Sequence, residues 1–259
     1  MVQLLGVAWE TVGAMDIQPV LVLEYAQLGS LASVICSQKQ RGKVFGFNQK
    51  RELCLDVAQG MAAVHECGFI WGDCKPDNVL IFSDGQRVGG LKAKVGDFGA
   101  CEPNPRPDTP FRAISRPWTA PEADPGRLGA ITGFENLVKA EIFAYGLIAW
   151  TIAMDGHEYD RQFWNSDTLD GRLQDSPHMS IAEIEHIKCD RENPQRFVDI
   201  AIAAVQKHLR LRGSDMPIAS EIEVTLLTDL LKQCLQYHPQ ERASSMSSII
   251  RILSPSTVM

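Results

Sequence analysis

The stretch that most constrains the fold is residues 137–154, which are strongly apolar with helical spacing. Nearly every face of a helix formed by these residues would be apolar. Such a helix is stable in water only when other elements cover it, so we expect it at the centre of a globular domain. A chain of 259 residues is long enough to supply that cover. It has no internal repeat and no low-complexity linker, and we predict one domain over residues 1–259.

Composition and charge narrow the classes of partner. Apolar residues make up 45% of the chain and charged residues 22%, as in ordinary globular proteins. The net charge of −7 argues against nucleic acid or an anionic membrane as the main partner. The seven cysteines contain no CxxC pair, so a zinc site or a disulfide framework is not expected. No uninterrupted apolar run reaches the roughly 18 residues of a membrane span, and no signal peptide is recognised, which favours the cytoplasm or the nucleus.

Alternating and helical patterns predict an α+β fold, with short strands in the first part of the chain and mostly helices after them. Ser30 is expected to cap a helix that runs through Gln40. Asn48 is expected to cap the next helix, which Gly68 ends. The predicted strands are residues 2–9, 19–25, 69–70, 79–82 and 92–95, and the predicted later helices are residues 137–154, 181–190, 195–211, 221–236 and 243–253.

One loop carries polar side chains suited to phosphoryl transfer. Asp73 and Asn78 lie five residues apart, and Asp97 follows nineteen residues after Asn78 in a glycine-flanked turn. The Asp73 carboxylate can accept the proton of an attacking hydroxyl, while Asn78 and Asp97 can hold Mg²⁺. Lys75 points the same way as Asp73 in an extended loop and can neutralise a phosphoryl group. An isolated Asp in a loop is most often a cap or a solvated turn, but the joint pattern is much harder to obtain by chance.

At these residues the chain resembles the eukaryotic protein kinases, and the resemblance covers nearly its whole length. The motifs follow the family's order, which is far more specific than any single motif. The matching segments are Trp71–Asn78 against HRDxKPxN, Asp97–Gly99 against DFG, Ala120–Glu122 against APE, Glu141–Gly146 against DVYSFG, and Cys234, His238, Pro239 and Arg242 against the segment near the end of the domain. The resemblance implies a protein-kinase-like fold, with residues 1–25 as remnant N-lobe strands in a β-hairpin and residues 26–254 as a mostly helical C-lobe.

The resemblance also implies a role for each matching residue of the loop. Asp73 would be the catalytic base, Lys75 would contact the γ-phosphate, and Asn78 would bind Mg²⁺ together with Asp97. A lysine two positions after the catalytic Asp is the serine/threonine-type form of the loop. The implied activity is transfer of phosphate from ATP, with Mg²⁺, to a serine or threonine of a protein substrate.

An adenine site follows from the same resemblance. Leu23 falls at the gatekeeper position. The Glu24 carbonyl and the Ala26 backbone would meet adenine, and Leu80 would form the floor beneath it.

Two structural contacts are implied as well. Glu122 would form a buried ion pair with Arg242, and the loss of either partner would cost roughly 3–5 kcal/mol because it leaves a buried charge unpaired. The Ser115 hydroxyl would bond to the catalytic Asp and Lys.

Three departures from the family pattern affect the expected activity or its control. Trp71 and Gly72 replace His-Arg, and Gly72 cannot pair with a phosphate on the activation segment. Glu141 stands where the family has Asp, and its extra methylene can shift the catalytic loop. The chain begins at what resembles the fourth N-lobe strand, and it contains no glycine-rich loop, no VAIK-type lysine and no helix glutamate. We therefore expect an N-terminally truncated domain with very low activity, and an exposed apolar edge at Leu21–Leu23.

Two other functions remain open at this point. A pseudokinase or C-lobe scaffold that binds proteins without catalysis is favoured by the missing phosphate loop and by the Trp71–Gly72 and Glu141 changes. A small-molecule phosphotransferase of the aminoglycoside/choline kinase type is favoured by Gly72-Asp73, since the loop of that family reads HGDxxxxN. Gly99 and the APE-like segment argue against the second alternative.

Overall fold

A computed structural model of the chain describes residues 1–13, 16–106, 115–123, 132–160, 162, 177–210 and 219–254. These residues contain seven α-helices and three two-stranded sheets. Within them, no helix combines the length and the apolar character needed to cross a membrane. The helices are α1 (Leu31–Gln40), α2 (Phe47–Glu66), α3 (Phe134–Ala153), α4 (Ile181–Lys188), α5 (Arg196–Arg210), α6 (Glu221–Cys234) and α7 (Met246–Leu253).

Helix α3 lies at the centre of the molecule, as its apolar pattern predicts. Every residue from Ala140 to Ala153 is buried, and Tyr145 and Trp150 are fully enclosed. Helices α2, α5 and α6 pack directly against it. This core positions the candidate catalytic loop, because α2 leads into the loop and Glu141 of α3 accepts hydrogen bonds from its backbone.

Local capping fixes where most of the helices begin. Ser30 accepts a hydrogen bond from the Ser33 amide, which confirms the predicted cap of α1. Helices α4 and α6 each begin with a reciprocal serine–glutamate capping box. The predicted cap of α2 is wrong. The N-cap is Gly46, two residues before Asn48, and the Gln49 side chain accepts a hydrogen bond from the Gly46 amide at 2.9 Å.

Each sheet is a pair of antiparallel strands. Strands β1 (Leu4–Val12) and β2 (Asp16–Leu23) form the predicted hairpin, β3 (Phe69–Ile70) pairs with β6 (Glu102–Pro103), and β4 (Val79–Ser83) pairs with β5 (Leu91–Val95). The strand at β6 was not predicted, since it is two residues long and holds a proline. The β3–β6 and β4–β5 pairs frame the loop that carries Asp73 and Asn78.

The N-terminal hairpin is exposed on both faces. Leu21, Val22 and Leu23 are 63%, 42% and 49% exposed, which confirms the predicted apolar edge. The hairpin joins the rest of the molecule at its open end, where the Val2 amide donates to the Val95 carbonyl at 2.9 Å. It thereby sets the position of the segment that follows β2.

All seven cysteines are free thiols. Four of them are buried, and burial raises the pKa of Cys54 to about 12. Such thiols pack as small apolar side chains rather than acting as nucleophiles.

Candidate active site

The loop between β3 and β4 brings the predicted catalytic residues together. Asp73 is buried, with 9% of its surface exposed. Its Oδ2 accepts hydrogen bonds from the Lys75 Nζ at 2.6 Å and from the Asn78 Nδ2 at 3.0 Å. Its Oδ1 is buried and has no hydrogen-bond partner among the described residues. One carboxylate oxygen is therefore held in place while the other is left to accept a proton.

The surroundings of Asp73 favour its ionised form. Burial raises the pKa of this carboxyl, but the side chains of Lys75, Ser115 and Asn78 more than offset burial, so the pKa lies below its ordinary value. A carboxylate that is ionised at neutral pH can take a proton from a bound hydroxyl. The Asp73 carboxylate is thus held through one oxygen and ionised at neutral pH.

Ser115 reaches the same centre from a distant part of the chain. Its Oγ accepts a hydrogen bond from the Lys75 Nζ at 2.9 Å, which confirms the predicted bond to the lysine. The ammonium group of Lys75 is thus shared between Asp73 and Ser115. These two acceptors fix the position of the charge.

Asn78 and Asp97 are brought close by the backbone between them. The Gly96 amide donates to the Asn78 carbonyl at 2.9 Å, which places the turn containing Asp97 against Asn78. The Asn78 Nδ2 donates to the Asp73 carbonyl at 2.9 Å, so its Oδ1 is the atom left to bind a cation. Amide and carboxylate oxygens suit Mg²⁺, which completes its shell with phosphate and water oxygens. In the described ranges, no group of three or more His, Cys, Asp or Glu could hold a metal by itself.

The predicted adenine-binding residues lie where the hairpin meets the rest of the molecule. Leu23 is the last residue of β2 and is half exposed. The Glu24 carbonyl and the Ala26 amide form no hydrogen bond with the described residues, so both are available to a ligand. Leu80 on β4 forms a β-bridge with Ser30, which brings the predicted floor up to the segment after Ala26.

Lys94 on β5 fixes this segment, a role that the sequence motifs do not reveal. Its Nζ lies 2.6 and 2.7 Å from the two carboxylate oxygens of Glu24 and 4.7 Å from the centre of the Phe82 ring. Lys94 is also the cross-strand partner of Leu80. The ion pair therefore ties the backbone that would meet adenine to the strand pair that would lie beneath it.

Glu141 on α3 anchors the catalytic loop from below. Its Oε1 accepts from the Gly72 amide at 2.6 Å, and its Oε2 accepts from the Trp71 amide at 3.2 Å. The longer side chain thus still reaches the loop. The His65 Nε2 lies 2.7 Å from the same Oε2 in a part-buried contact. The sequence does not predict this contact, because a histidine near a helix end carries no specific signal.

Trp71 links the catalytic loop to the turn at Asp97. Its ring is fully buried, and its Nε1 donates to the Gly96 carbonyl at 2.9 Å and to the Asp97 carbonyl at 3.3 Å. The indole therefore holds the backbone on which the candidate metal ligand Asp97 sits.

The predicted ion pair between Glu122 and Arg242 is present. The guanidinium contacts both carboxylate oxygens, and the Arg242 side chain is completely buried. The segment Ala120–Glu122 is thereby attached to the region before α7.

A sequence comparison identifies the family to which these features belong. The profile described as protein kinase domain matches residues 4–251. The chain belongs to the protein kinase family. Because the match begins at Leu4, the first residue of β1, and continues into α7, it does not support the prediction that the domain is N-terminally truncated. The division into residues 1–25 and 26–254 stays a prediction.

Individual relatives are also protein kinases. The chain is 27% identical over 152 residues to the probable serine/threonine-protein kinase roco8 of Dictyostelium discoideum, covering 56% of this chain and 8% of that protein. It is 28% identical to the probable serine/threonine-protein kinase gdt8 of the same organism, covering 60% of this chain and 11% of that protein. It is 28% identical to the tyrosine-protein kinase SPK-1 of Girardia tigrina, covering 58% and 28%. The chain therefore spans only a small part of these relatives.

Gly72 occupies a position in this kinase loop that no other residue fits. Its φ is +88°, and a Cβ added there would lie 2.2 Å from the Ala100 carbonyl oxygen. We expect Gly72→Ala to lower the free energy of unfolding by about 2–3 kcal/mol, since both the backbone and the contact are strained. The change corresponds to a fall of roughly 4–10 °C in a thermal melt.

The matched control is Gly85→Ala, because a Cβ at Gly85 meets nothing within 4 Å. This variant should melt within about 1 °C of the unchanged chain. Equal melting temperatures for the two alanine variants would contradict the assigned strain at Gly72.

Proposed function

We propose that this chain transfers the γ-phosphate of ATP, with Mg²⁺, to a serine or threonine hydroxyl of a protein. The observation that carries the proposal is the state of the Asp73 carboxylate: Oδ2 is held by Lys75 and Asn78, while Oδ1 is buried with no partner among the described residues. An ionised base held in this way suits abstraction of a hydroxyl proton.

Each side chain of the centre has one task in this proposal. Asp73 orients the acceptor hydroxyl and takes its proton, and Lys75 places a positive charge beside the phosphoryl group. Asn78 and Asp97 would hold Mg²⁺, which supplies charge neutralisation on the phosphate oxygens when bound. The Glu24 carbonyl and Ala26 amide would bind the adenine edge, with Leu23 and Leu80 in contact with the ring.

Lys75 supports serine or threonine as the acceptor. It lies two residues after Asp73, which is the serine/threonine-type form of the loop, and its ammonium already bonds to Asp73 and Ser115. The relatives include kinases named for serine/threonine and for tyrosine, so the acceptor is a matter for experiment.

We propose further that transfer by residues 1–259 alone is slow. Residues 1–259 contain counterparts of the family's hinge, adenine floor and metal ligands. They contain no counterpart of its glycine-rich loop or of its VAIK-type lysine. Phosphoryl transfer depends on positioning and electrostatic stabilisation, which those parts supply in the family. The expected dissociation constant for Mg-ATP is weaker than about 1 mM, measured by calorimetric titration. Micromolar binding would contradict this expectation.

The transfer itself is tested with γ-labelled ATP at several millimolar, Mg²⁺ and a mixed serine, threonine and tyrosine peptide library over long incubation. The expected result is label on serine or threonine that EDTA abolishes. Label on tyrosine would overturn the acceptor. A blank result at the detection limit would favour the scaffold function, and label on choline or an aminoglycoside but not on peptides would favour a small-molecule phosphotransferase.

A further inference from the structure

A short loop contacts the side chain of Lys75. The loop comprises residues 115–119, and its first residue is the one whose hydroxyl accepts from Lys75. The loop is closed on itself, because the Trp118 amide donates to the Ser115 carbonyl at 3.0 Å and the Thr119 Oγ1 donates to the same oxygen at 3.2 Å. Thr119 is buried. The position of the Ser115 hydroxyl therefore depends on where the whole loop is held.

A buried lysine of α4 holds this loop. The Lys188 Nζ donates to the Pro117 carbonyl at 2.9 Å and is paired with the Glu185 carboxylate one turn earlier on the same helix. The Lys188 side chain is 1% exposed and that of Glu185 is 9% exposed. The contact spans 71 residues of sequence, so it joins two separate parts of the domain.

The energetics of this pair indicate a positional role. Removing both charges from water costs several kcal/mol of free energy. The attraction between the two charges offsets this cost only in part. Apolar side chains at positions 185 and 188 would fill the same space without that cost, but they could not donate a hydrogen bond to the Pro117 carbonyl. What the buried ammonium supplies is a directed contact with the loop.

Position 72 of the catalytic loop cannot supply a second cation that would take over the role of Lys188. Because an added Cβ would lie 2.2 Å from the Ala100 carbonyl oxygen, this position cannot carry a basic side chain. A phosphate on the segment before the loop would therefore find no cation at position 72.

We propose that Lys188 is a positioning residue for the catalytic centre. It holds the Pro117 carbonyl, which sets the loop of residues 115–119, and the Ser115 hydroxyl of that loop holds the Lys75 ammonium beside Asp73. The catalytic consequence rests on the proposed phosphate transfer, whereas the anchoring of the loop does not. Helix α4 is thereby connected to Lys75 through the loop of residues 115–119.

The test compares the unchanged chain with Glu185→Leu/Lys188→Met, which replaces both members of this ion pair. This double variant should keep most of the stability of the fold. Amide hydrogen exchange in residues 115–119 should become about tenfold faster or more, because the anchor is lost. Exchange in α3 should not change. The matched control is Lys39→Met, since Lys39 also donates to a backbone carbonyl, that of Gly156 at 2.9 Å, but far from this loop in sequence.

A second measurement separates positioning from packing. The ¹³Cε NMR signal of Lys75 should shift and broaden in the double variant, because the Ser115 hydroxyl that accepts from its ammonium group at 2.9 Å is no longer held in place. The Lys39→Met control should leave this signal unchanged. Both measurements are made without nucleotide, so they give an answer even if the unchanged chain transfers no phosphate.

Two results would overturn the proposal. Unchanged exchange in residues 115–119 would show that Lys188 does not hold the loop. Faster exchange with an unchanged Lys75 signal would show that the loop does not position Lys75. A failure of the proposed function would appear separately, as the absence of labelled peptide with the unchanged chain.

Discussion

Asp73→Asn is expected to reduce the rate of phosphate transfer by about 10²–10⁴-fold, the range that a general base contributes. Asparagine occupies the same space and can still accept hydrogen bonds from Lys75 and Asn78. It cannot accept the proton of the substrate hydroxyl. The loss should therefore appear in the rate of the chemical step, measured as label transferred per hour at fixed millimolar Mg-ATP.

The control for this prediction is Asp77→Asn in the same loop. Asp77 is exposed, whereas Asp73 is buried at the centre of the hydrogen-bond network. Each substitution removes one carboxylate charge, and the two positions are only four residues apart. A general electrostatic effect would therefore change both rates alike. We expect the Asp77 variant to keep its rate within about twofold. Transfer that persists in Asp73→Asn would exclude Asp73 as the base.

The sequence predicts those parts of this fold that depend on local patterns. The central position of α3 follows from apolar residues on all of its faces, and burial from Ala140 to Ala153 confirms it. The ordered motifs predict the contacts among Asp73, Lys75 and Asn78 because these residues lie within one short loop. Helix starts are less certain, as α2 shows: Gly46 with Gln49 forms the cap that the pattern assigns to Asn48.

The contacts that sequence patterns do not reveal join distant segments. His65 contacts Glu141 across 76 residues, and Lys94 contacts Glu24 across 70 residues. Taken alone, His65 near the end of a helix and Lys94 on a strand resemble ordinary surface residues. Only the packing of α2 on α3, or of β5 against the segment after β2, brings them to their partners. These pairs hold the candidate site in place, which is why its geometry is harder to predict than its residues.

The largest effect on stability is expected at Arg242. Arg242→Met should lower the free energy of unfolding by about 3–5 kcal/mol, measured by urea denaturation with the slope checked for constancy. The guanidinium contacts both carboxylate oxygens of Glu122. It also donates to the carbonyls of Gln236 at 2.7 Å, of Tyr237 at 3.0 Å and of Lys139 at 3.0 Å. Methionine would fill much of the space but satisfy none of these acceptors.

The matched control is Arg251→Met on α7, where the arginine is exposed and contacts the Ser248 hydroxyl at 3.1 Å. This variant should change the free energy of unfolding by less than about 0.5 kcal/mol. A similar loss in both arginine variants would contradict the importance assigned to the buried pair.

A double variant identifies the source of the loss at Arg242. In Arg242→Met/Glu122→Leu the carboxylate is also removed, so no buried charge remains unpaired. If the unpaired Glu122 charge dominates the cost, the double variant should recover more than half of the lost stability. If the three backbone carbonyls dominate, the double variant should be as unstable as Arg242→Met, because those acceptors still lack a donor. We expect the first result, since the Glu122 carboxylate is 15% exposed and too enclosed for water to replace its partner fully.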